Sequence, residues 1–375
     1  MTDTFDVVMV GAGMAGIMAA RDLSKEGYSV ILLEARDRVG GRTYTKRAFG
    51  REVKLGGAYV HWSHTNSDHD VAVEPVITRL VDDVCRRFPT PFEPGAVDNS
   101  EIEKETLEDR INSFNIPTYE REVLDGILSG MVHAYNPHGS YWAIDGGTKR
   151  LINAIMAESS VELRISTPVS SITDNGSQVT VTTRTGHKIH SRSVIVALNT
   201  IGDIKITPDI PPRVRQMIDQ KNPVMGGKIW ARVKGEIQPF SGFASVSKSP
   251  INVARVESRY NGDTLILCMC SDVRTICADD REAVQAALRE FVPDIQVIDT
   301  ASHNWVTDEF SKGAWMMHRP GHLTQGALQM RQPHGRVHFA GGDIALPVVT
   351  SIDGAMGTGA AAARDVASGL ASGKY

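Results

Sequence analysis

The stretch "FDVVMVGAGMAG" (5–16) constrains this chain more than any other. A short apolar run, 5–10, suits a strand buried on both faces. It is followed at once by Gly11, Gly13 and Gly16, and then by "IMAARDLSKEG" (17–27), a helix closing on Gly27 as its C-cap. Gly11 allows the tight turn, Gly13 lets the backbone approach a pyrophosphate, and Gly16 lets helix and strand pack closely. Met14 and Ala15 open the helix, whose N-terminus offers N–H groups and a positive dipole end to phosphates. "YSVILLE" (28–34) is the second strand, and Glu34 stands where an acid meets a ribose hydroxyl. Strand, glycine turn, helix, strand and acid, in that order, specify a dinucleotide-binding unit.

The acid does not end the motif. Ala35 and Arg36 lead through "RDRVGGRT" to Gly40, Gly41 and Arg42, where a second loop can approach the same pyrophosphate. An NAD site leaves that loop unexplained. A cofactor whose far half reaches deep into the protein, as FAD does, accounts for it.

The rest of the chain alternates in texture. A helix opens at Glu74 and Pro75, and 101–133 is charged and helical up to an apolar end. "GGTKRLINAIMAES" (146–159) is a further helix; 161–197 is rich in strands, with "NGS" at Asn175 read as a hairpin turn. A helix near 211–220, strands at 227–234 and 264–270 and a helix over 280–292 follow. The last 42 residues return to a buried strand and an Ala-rich helix starting near Gly354. This predicts an α/β fold of two interleaved domains. A Rossmann-like dinucleotide domain takes 1–60, 146–200 and 331–375, and an α+β substrate domain takes 61–145 and 201–330.

Composition narrows the class. At 41% hydrophobic and 22% charged, with a net charge of −4, the chain is that of an ordinary globular protein and gives no support to nucleic-acid binding. No apolar run reaches the length of a membrane span. Asp3 and Asp6 lead straight into the first strand, so no leader peptide and a cytoplasmic location are expected. Cys85, Cys268, Cys270 and Cys277 lack zinc-like spacing and read as unpaired thiols. "HWSHTNSDHD" (61–70) gathers histidines and aspartates but fits no zinc pattern, so no metal is expected.

"EARDRVGGR" resembles the flavin-containing amine oxidase family, which includes monoamine oxidases, polyamine oxidases and bacterial 6-hydroxynicotine and cyclohexylamine oxidases. The resemblance runs over most of the chain. "LGGAYVHW" (55–62), with Gly56, Gly57, Ala58 and Tyr59, is similar to the family segment beside the isoalloxazine. "TPVSSI" (167–172) is similar to the strand whose Val169 contacts adenine. "RVHFAGGDIA" and "SIDGAMGTGAAAA" resemble the closing flavin motif, in which Gly342 and Asp343 meet the ribityl or pyrophosphate region. There a helix beginning near Ile352 aims its N-terminus at the flavin pyrimidine.

The resemblance implies FAD and roles for particular residues. Lys228, in "MGGKIWARVKG", falls where the family keeps a lysine that holds a water at flavin N5. Alternation puts Lys228 with Trp230, Arg232 and Lys234, a pattern that a solvated strand face shares. Trp315 matches one aromatic wall of the substrate cage, Trp305 another aromatic near the flavin, and Tyr59 or His61 lines the cavity. Ala314 stands where some relatives carry a cysteine joined to the flavin, so the FAD is expected to be non-covalent. Three features depart from the pattern. Ser351 occupies the second cage position, Asn199 stands where the family usually has proline, and the chain is short after Asn66 and around Asn136–Tyr141.

The expectation is an oxidase taking a small-molecule amine to an imine by hydride transfer to flavin N5, followed by hydrolysis, with oxygen or another acceptor restoring the flavin. The alternatives are a dehydrogenase or desaturase of the same fold with a protein or quinone acceptor, and a flavin-holding protein with an impaired pocket. Neither nucleic acid nor membrane is an expected partner, and a homodimer is left open.

Overall fold

The computed structural model describes residues 3–61, 141–143, 147–199, 201–238, 240–244, 248–345 and 350–375. The helix expected from Glu74, the segment 101–133, Cys85 and most of the histidine-rich run lie outside the described residues, as do both places where the chain is short, except for Tyr141.

In chain order, β1 (Asp3–Val10), α1 (Met14–Lys25) and β2 (Val30–Leu33) form the opening unit. The hairpin β3 (Thr45–Ala48) and β4 (Arg51–Lys54) follows, then the small pair β5 (Tyr59–His61) and β6 (Tyr141–Ala143). Next come α2 (Lys149–Ala157), β7 (Glu162–Arg164), β8 (Val169–Asp174), β9 (Val179–Thr183), β10 (Lys188–Val196) and β11 (Lys205–Thr207). The remainder is α3 (Pro212–Asp219), β12 (Gly227–Val233), β13 (Ser241–Phe243), β14 (Val253–Tyr260), β15 (Asp263–Cys270), α4 (Arg281–Leu288), β16 (Val297–Ser302), β17 (Val337–Phe339) and α5 (Ile352–Ala371).

The first sheet runs β11-β8-β9-β10-β1-β2-β7, with β17 also paired to β10. Strand β10 is the switch. Its first half pairs antiparallel with β9, and its second half pairs parallel with β17, while β1 lies parallel along its other edge. Val7 and Met9 of β1 enter one core with α1, α2 and α5; Val8 and Val10 enter another with α3 and β17. Burial on both faces explains why this strand reads as a continuous apolar run. Helix α1 ends as the sequence predicts. Gly27 takes φ +89°, Gly27 N donates to Ser24 O and Tyr28 N to Leu23 O, the Schellman pair that only a residue tolerant of positive φ allows. The "NGS" turn joins β8 to β9, with Asn175 Oδ1 accepting from the amides of Ser177 and Gln178.

The second sheet is antiparallel, in the order β13-β14-β15-β12-β16. One face (Ile229, Ala231, Val233, Ile266, Cys268) packs on Val284, Ala287 and Leu288 of α4. The opposite face is covered, not solvated. Trp230, Leu265 and Leu267 pack with Val53 and Leu55 at the end of the β3–β4 hairpin. That hairpin is absent from the pattern of the sequence, because "TKRAFGREVK" reads as charged and buries few of its residues. Sheet membership also places β11 with the first sheet, beyond the boundary at 200 drawn from the sequence. Cys268 and Cys270 are buried, Cys277 is exposed, and all three are free thiols. Among the described residues no helix is long and apolar enough to cross a membrane.

Candidate active site

The glycine turn and the second loop meet. Gly40 N donates to Ala12 O at 2.7 Å, and Gly13 bridges Gly40 in parallel fashion. A β-carbon on Gly41 would lie 3.2 Å from Gly13 Cα, one on Gly16 only 1.8 Å from Gly11 O, whereas one on Gly13 would meet open space. Gly11, Gly16 and Gly41 are thus close approaches of backbone to backbone, and Gly13 has open space beside it. Gly13 is also the N-cap of α1; no side chain caps that end and no acid lies in its first turn, where Met14 and Ala15 are buried. Amides and a dipole end, with Arg42 close by, make a donor set that fits a dinucleotide pyrophosphate.

Glu34 is buried at the end of β2. Its Oε2 accepts from Ala12 N at 2.8 Å and its Oε1 from Arg36 N at 2.9 Å, which ties the acid to both loops. Ala35 therefore sits in a short arch. Thr167 N donates to Glu34 O and Ser166 N to Arg36 O, so the segment leading to Val169 runs alongside that arch. The Arg36 guanidinium lies 3.7 Å from Glu34 Oε1 and reaches on beyond it. It pairs with Asp308 at 2.5 Å, donates to Ser311 Oγ at 2.7 Å and lies over the Phe310 ring. Burial alone would raise the Asp308 pKa, but hydrogen bonds from His303, Arg36 and the Phe310 amide, with the Arg36 charge, hold it far below the usual carboxylate range.

Arg42 links the far motifs. It donates to Asp343 Oδ1 at 2.9 Å and to Ala314 O at 2.7 Å. Gly342 lies against the backbone of Ser351, and a β-carbon on Gly57 would touch Ile352 at 3.5 Å. Hence the second loop, the "LGGA" segment with buried Ala58 and the start of α5 come together. Ser351, expected at the second cage position, has a structural task at the head of α5. It is the N-cap of α5, its Oγ accepting from Gly354 N at 2.8 Å. Tyr59 and His61 lie in β5, and their side chains are outside what is described.

Lys228 and Trp315 come together on the other side. Lys228 Nζ donates to Gly56 O at 2.7 Å. Some of its side chain stays accessible, yet burial of the ammonium brings its pKa down to about 8, against the upward pull of Glu257 and with a further push from Arg255 and Lys54. Trp315 rests on Gly226, two residues before Lys228, since a β-carbon there would come within 2.8 Å of the indole. Asn222 Nδ2 holds Trp315 O at 2.9 Å. Trp305 is buried, its Nε1 donating to Leu55 O at 3.1 Å and its ring 4.2 Å from that of His303.

Several of these partners are silent in the sequence. Asp308 and His303 carry no motif. Asn199, noticed only as a departure from proline, donates to Ser311 O at 2.7 Å, on the loop that carries Ala314 and Trp315. Thr148, in no motif of the sequence, donates to Gly57 O.

Comparison with known proteins agrees with this geometry. The chain is 27% identical to the pseudooxynicotine dehydrogenase of Pseudomonas sp over 432 aligned positions, covering 98% of this chain and 87% of the relative. It is 29% identical to the nicotine dehydrogenase of Pseudomonas putida (96% and 88% covered) and 27% to the (S)-6-hydroxynicotine oxidase of Paenarthrobacter nicotinovorans (94% and 97%). An alignment of 432 positions against 375 residues means that the first relative carries segments this chain lacks. The solved structure of putrescine oxidase bound to putrescine superposes with a TM-score of 0.70 at 20% identity, over 98% of this chain and all of that one, which establishes the amine oxidase fold. A profile for an NAD(P)-binding Rossmann-like domain matches 9–74. The profile described as flavin containing amine oxidoreductase matches 113–367, most of the length, and the chain belongs to that family of oxidoreductases.

Proposed function

We propose that this protein binds FAD without a covalent link and oxidises an amine to an imine, which water then hydrolyses, with oxygen as the acceptor that restores the cofactor. The observation that carries the reading is the placement of Trp315 beside the start of β12, whose Lys228 reaches the "LGGA" segment. Trp315 rests beside Gly226, and two residues on Lys228 reaches Gly56 O. FAD supplies the acceptor for a hydride equivalent from the carbon next to nitrogen.

The chain's own residues position and shelter. Gly11, Gly13, Gly41 and the N-terminus of α1 receive the pyrophosphate, Glu34 the ribose, Val169 borders the adenine, and Arg42 with Asp343 closes the phosphate side. Trp315 offers a flat wall against which a neutral amine is oriented. Lys228 holds a water for hydrolysis or for the reoxidation step. Ser351, drawn back into a cap, leaves the opposite wall open and favours an amine larger than a simple alkylamine. The names of the three relatives, built on nicotine, 6-hydroxynicotine and pseudooxynicotine, support the same size class.

The deciding experiment is the anaerobic visible spectrum of the purified protein with putrescine, benzylamine, (S)-nicotine and (S)-6-hydroxynicotine. Bleaching by one class establishes reaction type and substrate class together; a flavin spectrum that none of them bleaches overturns the amine reading. Ala314 offers no thiol, and the nearby core thiols Cys268 and Cys270 lie in the second sheet. Acid precipitation therefore leaves the flavin in the supernatant, and flavin in the pellet would refute non-covalent binding. A second reading, electron delivery to a protein or quinone acceptor, is favoured by two relatives named dehydrogenases. Peroxide formed in step with amine oxidised under air rejects it.

A further inference from the structure

Four consecutive backbone carbonyls, those of residues 54–57, each accept a hydrogen bond from a side chain distant in sequence. Trp230 Nε1 donates to Lys54 O at 2.9 Å, Trp305 Nε1 to Leu55 O at 3.1 Å, Lys228 Nζ to Gly56 O at 2.7 Å and Thr148 Oγ1 to Gly57 O at 3.2 Å. The amides are held as well. Leu55 N and Gly56 N donate to Tyr44 O at 2.8 and 3.1 Å, and Gly57 N donates to Arg42 O at 3.1 Å.

A segment leaving the end of β4 would normally find carbonyl partners on a neighbouring strand or in water. Here side chains from β12, from the loop after β16 and from the residue preceding α2 take that place. Trp230, Trp305 and Thr148 are 4%, 3% and 0% exposed, so water does not compete for these bonds; the two indole donors would be orphaned if their carbonyls moved, and Thr148 would keep only Thr45 Oγ1, at 3.4 Å. The segment cannot slide toward the phosphate loop either, because a β-carbon on Gly56 would lie 1.9 Å from Arg42 O.

We propose that Trp230 and Thr148 are positioning residues for the flavin site. With Lys228 and Trp305 they fix residues 54–57 as a rigid rail on which the isoalloxazine is laid down. The inference rests on the reading above, in which this segment runs beside the ring. A rail assembled in the protein alone removes the ordering cost from cofactor binding and fixes the height of the ring against Trp315. Neither residue belongs to a recognisable flavin motif. Trp230 stands on a strand face that reads as solvated, and Thr148 precedes a helix, where it would pass as a cap, although its side chain caps nothing.

The test compares holoprotein carrying Trp230→Phe or Thr148→Val with wild type and with Thr264→Val. Thr264 is equally buried, but its hydroxyl serves Gly235 O and Ile237 N at the far end of β15. The readouts are the FAD dissociation constant, from flavin fluorescence released on dilution, and the visible circular dichroism of the bound flavin. Loss of one buried hydrogen bond on the rail is expected to raise the dissociation constant about tenfold and to alter the flavin dichroism, whereas Thr264→Val lowers the Tm and leaves both unchanged. If the rail variants lose Tm like the control but keep wild-type affinity and dichroism, their role is merely structural and the proposal falls. Should Trp230→Phe fail to fold, the near-isosteric Thr148→Val decides by the same criteria. Wild-type protein that retains no FAD overturns the flavin-site reading itself, an outcome distinct from wild-type retention with unaffected variants.

Discussion

Trp315 lies against Gly226, two residues before Lys228, but their chemistry separates them. Trp315 is held by its backbone through Asn222 while its ring rests on Gly226, so truncation to alanine removes a wall without loosening the loop. Trp315→Ala is expected to keep FAD and to raise the KM of the amine that bleaches the flavin by tenfold or more, with a smaller change in kcat. Loss of FAD instead would make Trp315 a structural residue. Lys228 donates to a backbone carbonyl with an ammonium whose pKa lies near 8, so close to neutral pH it already carries a fraction of the free amine. Lys228→Met removes the donor to Gly56 O, and with it the water that the proposed function assigns to Lys228. Stopped-flow measurement should then show flavin reoxidation slowed by an order of magnitude or more, at unchanged oxygen; unaffected reduction and reoxidation together would take Lys228 out of the chemistry. Asn199 belongs to the same scale. Where the family usually has a proline, which has no side-chain donor, this chain has an amide that fastens Ser311 O.

Among elements, the pairing of α1 with α5 determines where two helix N-termini point. The α1 end meets the second glycine loop at Gly40 and Gly41, and the α5 end, capped by Ser351, lies beside Gly342 and Gly57. Their separation depends on small residues. A β-carbon on Gly359 would sit 2.2 Å from Ala15 O and 2.9 Å from Ala15 C, and backbone cannot swing aside as a side chain can. Gly359→Leu must push the helices apart, at a cost of about 1–3 kcal/mol or more. A Tm lowered by several degrees together with weaker FAD retention is the expected result; a lowered Tm at full FAD affinity would mean that the spacing of the two N-termini is not critical. How much of this was legible follows from the same contrast. Gly11, Gly16, Glu34 and the "GGR" loop could be read because each serves a local backbone need at fixed spacing. The β3–β4 hairpin, Thr148 and the Arg36–Asp308 pair could not. Their partners are far apart in sequence, Arg36 and Asp308 by 272 residues, and no short-range periodicity carries that information. Trp230 was visible, but alternation alone cannot tell a face covered by another element from one facing water.

For the molecule as a whole, the clearest pH dependence comes from the core of the first sheet. His338 lies on β17, 3% exposed, and its Nε2 is 3.0 Å from the Tyr375 hydroxyl. Burial, with a smaller contribution from Lys374, brings its pKa down to about 4, against about 6.5 when the chain is unfolded. Between those two values the unfolded chain holds a proton that the folded one refuses. Stability contributed by neutral His338 is therefore complete above pH 6.5 and is lost as the pH falls toward 4, by about 3 kcal/mol in all. The depressed carboxylates act lower down. Asp308, Asp3 and Asp6 are held below their usual values in the fold, so their stabilisation fades only as the pH falls below the normal carboxylate range. Acid unfolding should then proceed in two stages, a decline from pH 6.5 to 4 followed by a steeper loss. His338→Gln preserves a partner for Tyr375 without a titrating ring. Urea midpoints measured from pH 7 down to about 2 should flatten over the first stage in this variant and keep the second. Equal slopes in both proteins from pH 6.5 to 4 would show that His338 takes up its proton without cost, and that the first stage originates elsewhere.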